Sequence, residues 1–168
     1  MSDIFIRYAA PADFDAIVAL NEAAVQHTSA MDVQRLQNLH ALSAYHKVAT
    51  VDGKVAAFLL AMRENAPYPN DNYGFFAARY ARFLYVDRIV VDPSYAGLKL
   101  GTLLYRDLFD YARAQAVPVI TCEYNIEPPN EPSRRFHERF GFSEVGTQWL
   151  DGGRKRVSLQ VAHIHTGI

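Results

Sequence analysis

Ile4, Ile6 and Tyr8 alternate with Phe5 and Arg7, the pattern of a strand over 4–8 with both faces at least partly covered. After Ala10-Pro11-Ala12-Asp13 the apolar period changes. Phe14, Ile17, Val18, Leu20, Ala24 and Val25 recur near helical spacing and predict a helix from Asp13 to about Gln26. Val33, Leu36, Leu39 and Leu42 predict a shorter second helix whose leucine face belongs in a core. Asp52-Gly53 stands between two apolar runs, 47–51 and 54–62, and is the strongest short-range hairpin signal in the chain. The stretch from Arg63 to Ala78, rich in proline, asparagine and aromatics, reads as irregular and as a binding loop or lid.

Residues 83–91 read as the next strand. Leu100, Leu103, Leu104, Leu108, Tyr111 and Ala112 then make one apolar helical stripe, and 119–125 is a further strand. Pro128-Pro129 breaks that strand, Asn130 N-caps a short helix carrying the Phe136/Phe140 pair, and Gly141 stops it. A last hairpin, 142–150 and 154–161, turns at Asp151-Gly152-Gly153. The order β-α-α-β-β-β-α-β-α-β-β is of the α/β class, a mixed α+β sheet with helices on its faces. It forms one domain over 1–168 with a right-handed crossover from 83–91 through 100–115 to 119–125.

Composition narrows the function. A chain of 168 residues, half of them apolar, is long enough for one ordinary core. A formal net charge of −1 with scattered charges gives no field for a nucleic-acid backbone. The single cysteine, Cys122, excludes an internal disulfide and a multi-cysteine zinc site. There is no charged n-region before an apolar h-region and no run near the ~18 apolar residues of a membrane span. The expectation is a cytoplasmic protein without nucleic-acid or membrane partners.

The chemistry concentrates between Val86 and Tyr105. A strand, a proline-marked turn (Asp92 to Ala96) and Gly97-Leu98-Lys99-Leu100-Gly101 lead into a helix, so unpaired N–H groups and the positive end of a helix dipole converge where an anion can sit. Gly97 as a plain turn residue and Gly101 as a packing residue are the competing readings.

With those residues in view, the chain resembles the Gcn5-related N-acetyltransferase (GNAT) superfamily over nearly its whole length. The resemblance is carried by IVVDPSYAGLKLGTLLY from Ile89 and NEPSRRFHERFGFSEVG from Asn130. In the first motif Ala96 stands where Arg or Gln is usual and Lys99 where Gly is usual, while Gly101 is kept. In the second, Asn130 and Gly141-Phe142 are kept, Ser133 takes the usual alanine place and His137 the usual tyrosine place. Tyr85 to Arg88, Cys122 to Asn125 and Pro128 to His137 are similar to a bacterial branch of that superfamily.

The resemblance implies the acyl-CoA N-acyltransferase fold and direct transfer from acetyl-CoA, as co-substrate, to the amine of a small molecule or amino acid, with no metal. It implies that amides of Ile89, Val90 and Val91 hold the pantetheine arm. By the same resemblance Ala96, Gly97, Leu98, Lys99, Leu100, Gly101 and Thr102 hold the pyrophosphate, with Asn125, Asn130, Ser133 and Phe136 also at the cofactor. The acceptor would meet the first two helices, the loop before 83–91 and the last hairpin, here Asn21, Glu22, His27, Thr28, Asn72, Tyr73, Phe76 and Trp149. A non-catalytic acyl-CoA-binding or regulatory module is the alternative, favoured by Ala96 and Lys99.

His137 is the expected general acid, since it occupies the tyrosine place and titrates nearest neutrality; a helix histidine satisfied locally is the other reading. Glu123 shares a strand face with Val119, Thr121 and Asn125, as a base, an anchor for a substrate ammonium, or an exposed carboxylate. Asp87 and Arg88 point to opposite faces of their strand, so Asp87 reaches the amine while Arg88 pairs elsewhere, or both are structural. Cys122 reads as a small buried hydrophobe, and His163 with His165 as a metal pair lacking further ligands or as a flexible tail. Strand edges in the last hairpin fit a homodimer.

Overall fold

Asp52 and Gly53 adopt φ of 49° and 84°, the left-handed pair that a two-residue hairpin requires and that Asp-Gly supplies at little cost. In the computed structural model, which describes residues 2–165, the strands and helices run β1 (Ile4–Tyr8), α1 (Phe14–Ala23), α2 (Val33–Leu42), β2 (Tyr45–Val51), β3 (Lys54–Arg63), α3 (Asp71–Ala77), β4 (Leu84–Val91), α4 (Leu100–Ala114), β5 (Val119–Glu127), α5 (Glu131–Arg139), β6 (Ser143–Leu150) and β7 (Lys155–His163). The strands hydrogen-bond in the order β1-β2-β3-β4-β5-β7-β6, a mixed seven-stranded sheet. Two compact units divide the chain, Met1–Met62 with Asp87–Asp110, and Arg63–Val86 with Tyr111–Ile168.

In the first unit β2 pairs antiparallel with β3 and with β1, and Ala56 to Met62 of β3 are fully buried. Helices α1 and α2 contribute Phe14, Ile17, Leu36 and Leu39 to the core, as their periodicity predicts. β1 departs from expectation. It is the outer strand of the sheet, so Phe5 and Tyr8 are 64% and 58% exposed instead of covered. The Tyr45 hydroxyl donates to Asp107 Oδ2 at 2.7 Å and Lys47 Nζ lies 2.8 Å from the same oxygen, tying β2 to α4.

His46 on β2 is buried, and its Nδ1 lies 2.8 Å from Nδ1 of His40 on α2. One proton serves that contact. Because His46 Nε2 is buried with no hydrogen-bond partner, the cheaper tautomer puts the proton on Nδ1 and leaves a bare lone pair, not an N–H, unsolvated. Burial, then His40, pushes the pKa of His46 down to about 4, against a smaller upward pull from Asp13. Asp13 itself is held by both guanidinium nitrogens of Arg7, at 2.7 and 2.8 Å.

In the second unit, the stretch read as irregular holds α3. Gly74 and the aromatics around it are weak helix formers, so the helix is invisible to periodicity. Its start is set by Asn70, whose side-chain oxygen accepts the Tyr73 N–H at 3.0 Å, and its face is fixed by burial of Tyr73 and Phe76. A Cβ on Gly146 of β6 would lie 2.8 Å from Phe75 Cζ, so glycine lets α3 pack down on that strand. β4 and β5 pair parallel, Leu84 with Ile120 and Tyr85 with Thr121, as a crossover through α4 requires. β5 pairs antiparallel with β7, and β7 with β6. His163 is the last residue of β7, opposite Val119, and belongs to the sheet instead of a flexible tail. No helix among the described residues is long and apolar enough to cross a membrane.

An unfolded histidine titrates near 6.5, while His46 in the fold stays neutral down to about 4. Its contribution to stability is therefore complete above pH 6.5 and is lost as the pH falls from 6.5 toward 4, because the unfolded chain takes up the proton first. Denaturant unfolding followed across that interval should show a loss of about 3 kcal/mol from this group, and His46→Phe should flatten the slope by that share.

Candidate active site

In the first unit, β4 from Val86 onward alternates between buried Val86, Arg88 and Val90 and half-buried Asp87, Ile89 and Val91. At its end Asp92 accepts the Ser94 N–H at 2.9 Å, and Pro93–Leu98 wind as a 3-10 turn. Lys99 then takes φ 55°, ψ 41°, and α4 begins at Leu100. This is the left-handed region, which costs a residue with a Cβ about 1–2 kcal/mol; it explains why the family motif has glycine there. Gly97 is the converse. It has no positive φ, and nothing lies within 4 Å of where its Cβ would be, so the fold itself has no need of glycine at that place. A bare backbone there fits close approach by a bound molecule, and the first N–H groups of α4 lie just beyond it.

Arg88 is the hub of a buried network in the same unit. Its Nε donates to Asp87 Oδ2 at 2.7 Å, one terminal nitrogen to Asn21 Oδ1 and the Ser29 carbonyl at 3.0 Å each, and the other to Ser29 Oγ at 2.9 Å. Asn21 is fully buried and donates from Nδ2 to the Ser29 carbonyl at 2.9 Å. The side chains of Asp87 and Arg88 are each 3% exposed. Two expectations change here. Asp87 does not stand apart from Arg88 but is paired with it, and Asn21 has both ends of its amide committed, Oδ1 to Arg88 and Nδ2 to the Ser29 carbonyl. Glu22 is exposed and Thr28 half-buried in that same segment.

In the second unit, Glu123 is half-buried on β5 and its Oε1 accepts the Tyr85 hydroxyl at 2.8 Å. Tyr85 is fully buried, with Tyr73 edge-on at 5.6 Å and Phe76 at 6.0 Å between ring centres. Tyr73 donates to the Arg63 carbonyl at 2.7 Å and accepts the Ala66 N–H at 3.0 Å. Asn72, Tyr73 and Phe76, expected at the acceptor, are buried, and Tyr73 and Phe76 pack against Tyr85.

Tyr124, the next residue along β5, points to the opposite face, where its ring lies 5.6 Å from that of His137 on α5. His137 is buried against Phe136 and Phe142. Its Nδ1 donates to the Ser133 carbonyl at 2.7 Å, with Ser133 Oγ at 3.2 Å. Burial pushes its pKa down to about 4, outweighing the upward effect of that backbone bond. At neutral pH the ring is uncharged and its Nδ1–H is given to the Ser133 carbonyl of its own helix, the arrangement of the other reading of this residue, a locally held histidine. Asn130 caps α5 by accepting the Ser133 N–H at 3.3 Å and donates its own backbone N–H to the Asn125 carbonyl at 3.0 Å. Phe136 is half-buried beside Phe140.

β5 therefore presents Glu123 on one face and the α5 cluster of His137 and Ser133 on the other. Cys122 is buried. Among the described residues no group of three or more His, Cys, Asp or Glu is placed to hold a metal ion. Sequence reading missed the Tyr85 hydroxyl and Ser29; the tyrosine stands in a quoted motif, but its reach to Glu123 depends on the β4–β5 register.

The profile of the Acetyltransferase (GNAT) family matches residues 13–142. This chain belongs to that family. Over 67 residues it is 42% identical to a phosphinothricin N-acetyltransferase of Streptomyces coelicolor, a match spanning 40% of this chain and 37% of the relative. The ribosomal-protein-S18-alanine N-acetyltransferase of Escherichia coli shares its fold with a TM-score of 0.74 at 17% identity, over 96% of this chain and 94% of that one. The structure of yncA from Salmonella typhimurium with its cofactor acetyl-CoA does so at 0.72 and 20%, over 99% and 96%. At these identities the likeness is one of fold, and the GNAT architecture accounts for the sheet order and for the strand, turn and helix around Gly97.

Arg88→Met removes the cation beside buried Asp87 and should destabilise the protein by about 3–5 kcal/mol. The double change with Asp87→Leu should cost less than the single one, and chemical denaturation of both variants checks it.

Proposed function

We propose that this GNAT protein is an N-acetyltransferase that moves the acetyl group of acetyl-CoA directly to the amine of a small molecule or amino acid. The observation that carries the reading is Glu123, a half-buried carboxylate on β5 held by a hydroxyl from β4. Acetyl transfer needs a group that takes a proton from an ammonium, and a carboxylate held by a phenol at one oxygen is oriented for that task.

The co-substrate is taken up by backbone. Amides of Ile89 to Val91 hold the pantetheine arm, and those of Gly97 to Thr102, at the start of α4, hold the pyrophosphate. Acetyl-CoA supplies the activated thioester. Glu123 accepts the ammonium proton, and the neutral amine attacks the thioester carbonyl. The tetrahedral adduct then collapses, breaking the C–S bond. Nitrogen gives up two protons in all. Glu123 takes the first from the ammonium and passes it to solvent. The second, lost after the C–N bond forms, goes through Glu123 or a water to the departing thiolate, so one proton is released overall and His137 is not required as a separate acid. A small acceptor agrees with the relative named for phosphinothricin. We place the protein in the cytoplasm, which suits a single buried thiol, and as a homodimer through outer strand β6, where Val145 and Trp149 are exposed.

Free thiol released from acetyl-CoA, followed with a panel of primary amines that includes phosphinothricin, tests the reading. Turnover with at least one amine is expected. Glu123→Gln should lower kcat about 10²- to 10⁴-fold with calorimetric acetyl-CoA affinity retained. Undiminished turnover in Glu123→Gln would remove the base from Glu123, and acetyl-CoA binding without any acceptor would favour the regulatory-module reading.

A further inference from the structure

Tyr85 has no solvent exposure, and its ring is wedged between Tyr73 and Phe76, so its hydroxyl has little freedom of direction. That hydroxyl is spent on Glu123 Oε1 at 2.8 Å. The register explains the reach. Tyr85 lies opposite Thr121 in the parallel ladder, and Glu123 is the next residue of β5 on the face of Thr121. A tyrosine at this place is long enough to span to the carboxylate; a serine or threonine is not.

We propose that Tyr85 is a positioning residue for proton transfer by Glu123: its hydroxyl fixes the carboxylate's orientation and favours the ionised form that accepts an ammonium proton. This rests on Glu123 being the base. Tyr85 acts through Glu123. The Tyr73 phenol from α3 packs against Tyr85 and is held by the Arg63 carbonyl and the Ala66 N–H; Glu64, beyond it, pairs with Arg63 at 3.1 Å and accepts the Phe83 N–H at 3.1 Å. β7 sets apolar Leu159 opposite Glu123.

Tyr85→Phe removes the O–H and keeps the ring packing. Tyr45→Phe breaks another buried tyrosine–carboxylate bond, to Asp107 at 2.7 Å, and serves as the structural control. The readout is a ¹³C NMR titration of side-chain carboxyls, with the Glu123 signal assigned by its absence in Glu123→Gln. In Tyr85→Phe its midpoint should rise by about one pH unit, since a hydrogen bond to the charged form is lost; in Tyr45→Phe it should not move. The acidic limb of kcat/KM for thiol release should rise by the same amount, with KM for acetyl-CoA unchanged. A Glu123 midpoint that stays put in Tyr85→Phe, or that moves equally in the control, overturns the inference. The titration needs no acceptor, so an amine screen without turnover would count against the acetyltransferase reading and leave the Tyr85 result separately decided.

Discussion

A charged side chain in a buried strand persists only when a fixed partner meets it, since the interior gives back little of the solvation it removes. Two strands of this protein carry such charges, and much of what surrounds them follows from satisfying them. On β4, Arg88 spreads its guanidinium over a carboxylate, an amide oxygen, a backbone carbonyl and a hydroxyl. On β5, Glu123 meets a phenol that two aromatic contacts from α3, Tyr73 and Phe76, keep in place. The first arrangement gathers four acceptors around one guanidinium just before Ile89. The second sets a single phenol against one oxygen of a half-buried carboxylate.

Most of the fold was legible because its strands and helices obey simple periods. Asp52-Gly53 and Asp151-Gly152-Gly153 turn where their positive φ values demand, and the α4 stripe buries Leu100, Leu104, Leu108 and Ala112. α3 was not legible. Its residues have poor helix propensity, and a cap from Asn70 plus burial of two aromatics overrides that preference. β1 misled in the other direction, since an alternating apolar pattern does not reveal that a strand lies at the sheet's edge with Phe5 in solvent.

The site was legible by residue type and less so by partnership. Glu123 stands out as a carboxylate between apolar neighbours, but its partner lies 38 residues away and is found through strand register. Asp87 and Arg88 seemed divided by strand alternation; a long arginine side chain bends back to its neighbour, so alternation of Cβ directions does not decide where a guanidinium ends. His137 shows the same limit. Its place in a motif marks a role in relatives that carry tyrosine, whereas an imidazole sealed among Tyr124, Phe136 and Phe142 loses its charge to burial.

The turn before α4 sharpens what its two departures from the family pattern mean. Lys99 keeps the left-handed backbone that glycine would adopt freely, so the loop's path survives the substitution at a cost in local strain. Gly97 keeps the missing side chain where no backbone or packing reason calls for it. Shape is thus held at one position and clearance at the other, at the start of a fifteen-residue helix. Under the proposed function, with alanine at position 96 offering no donor, recognition at this turn rests on the main chain, which tolerates side-chain change as long as the path of the loop is kept.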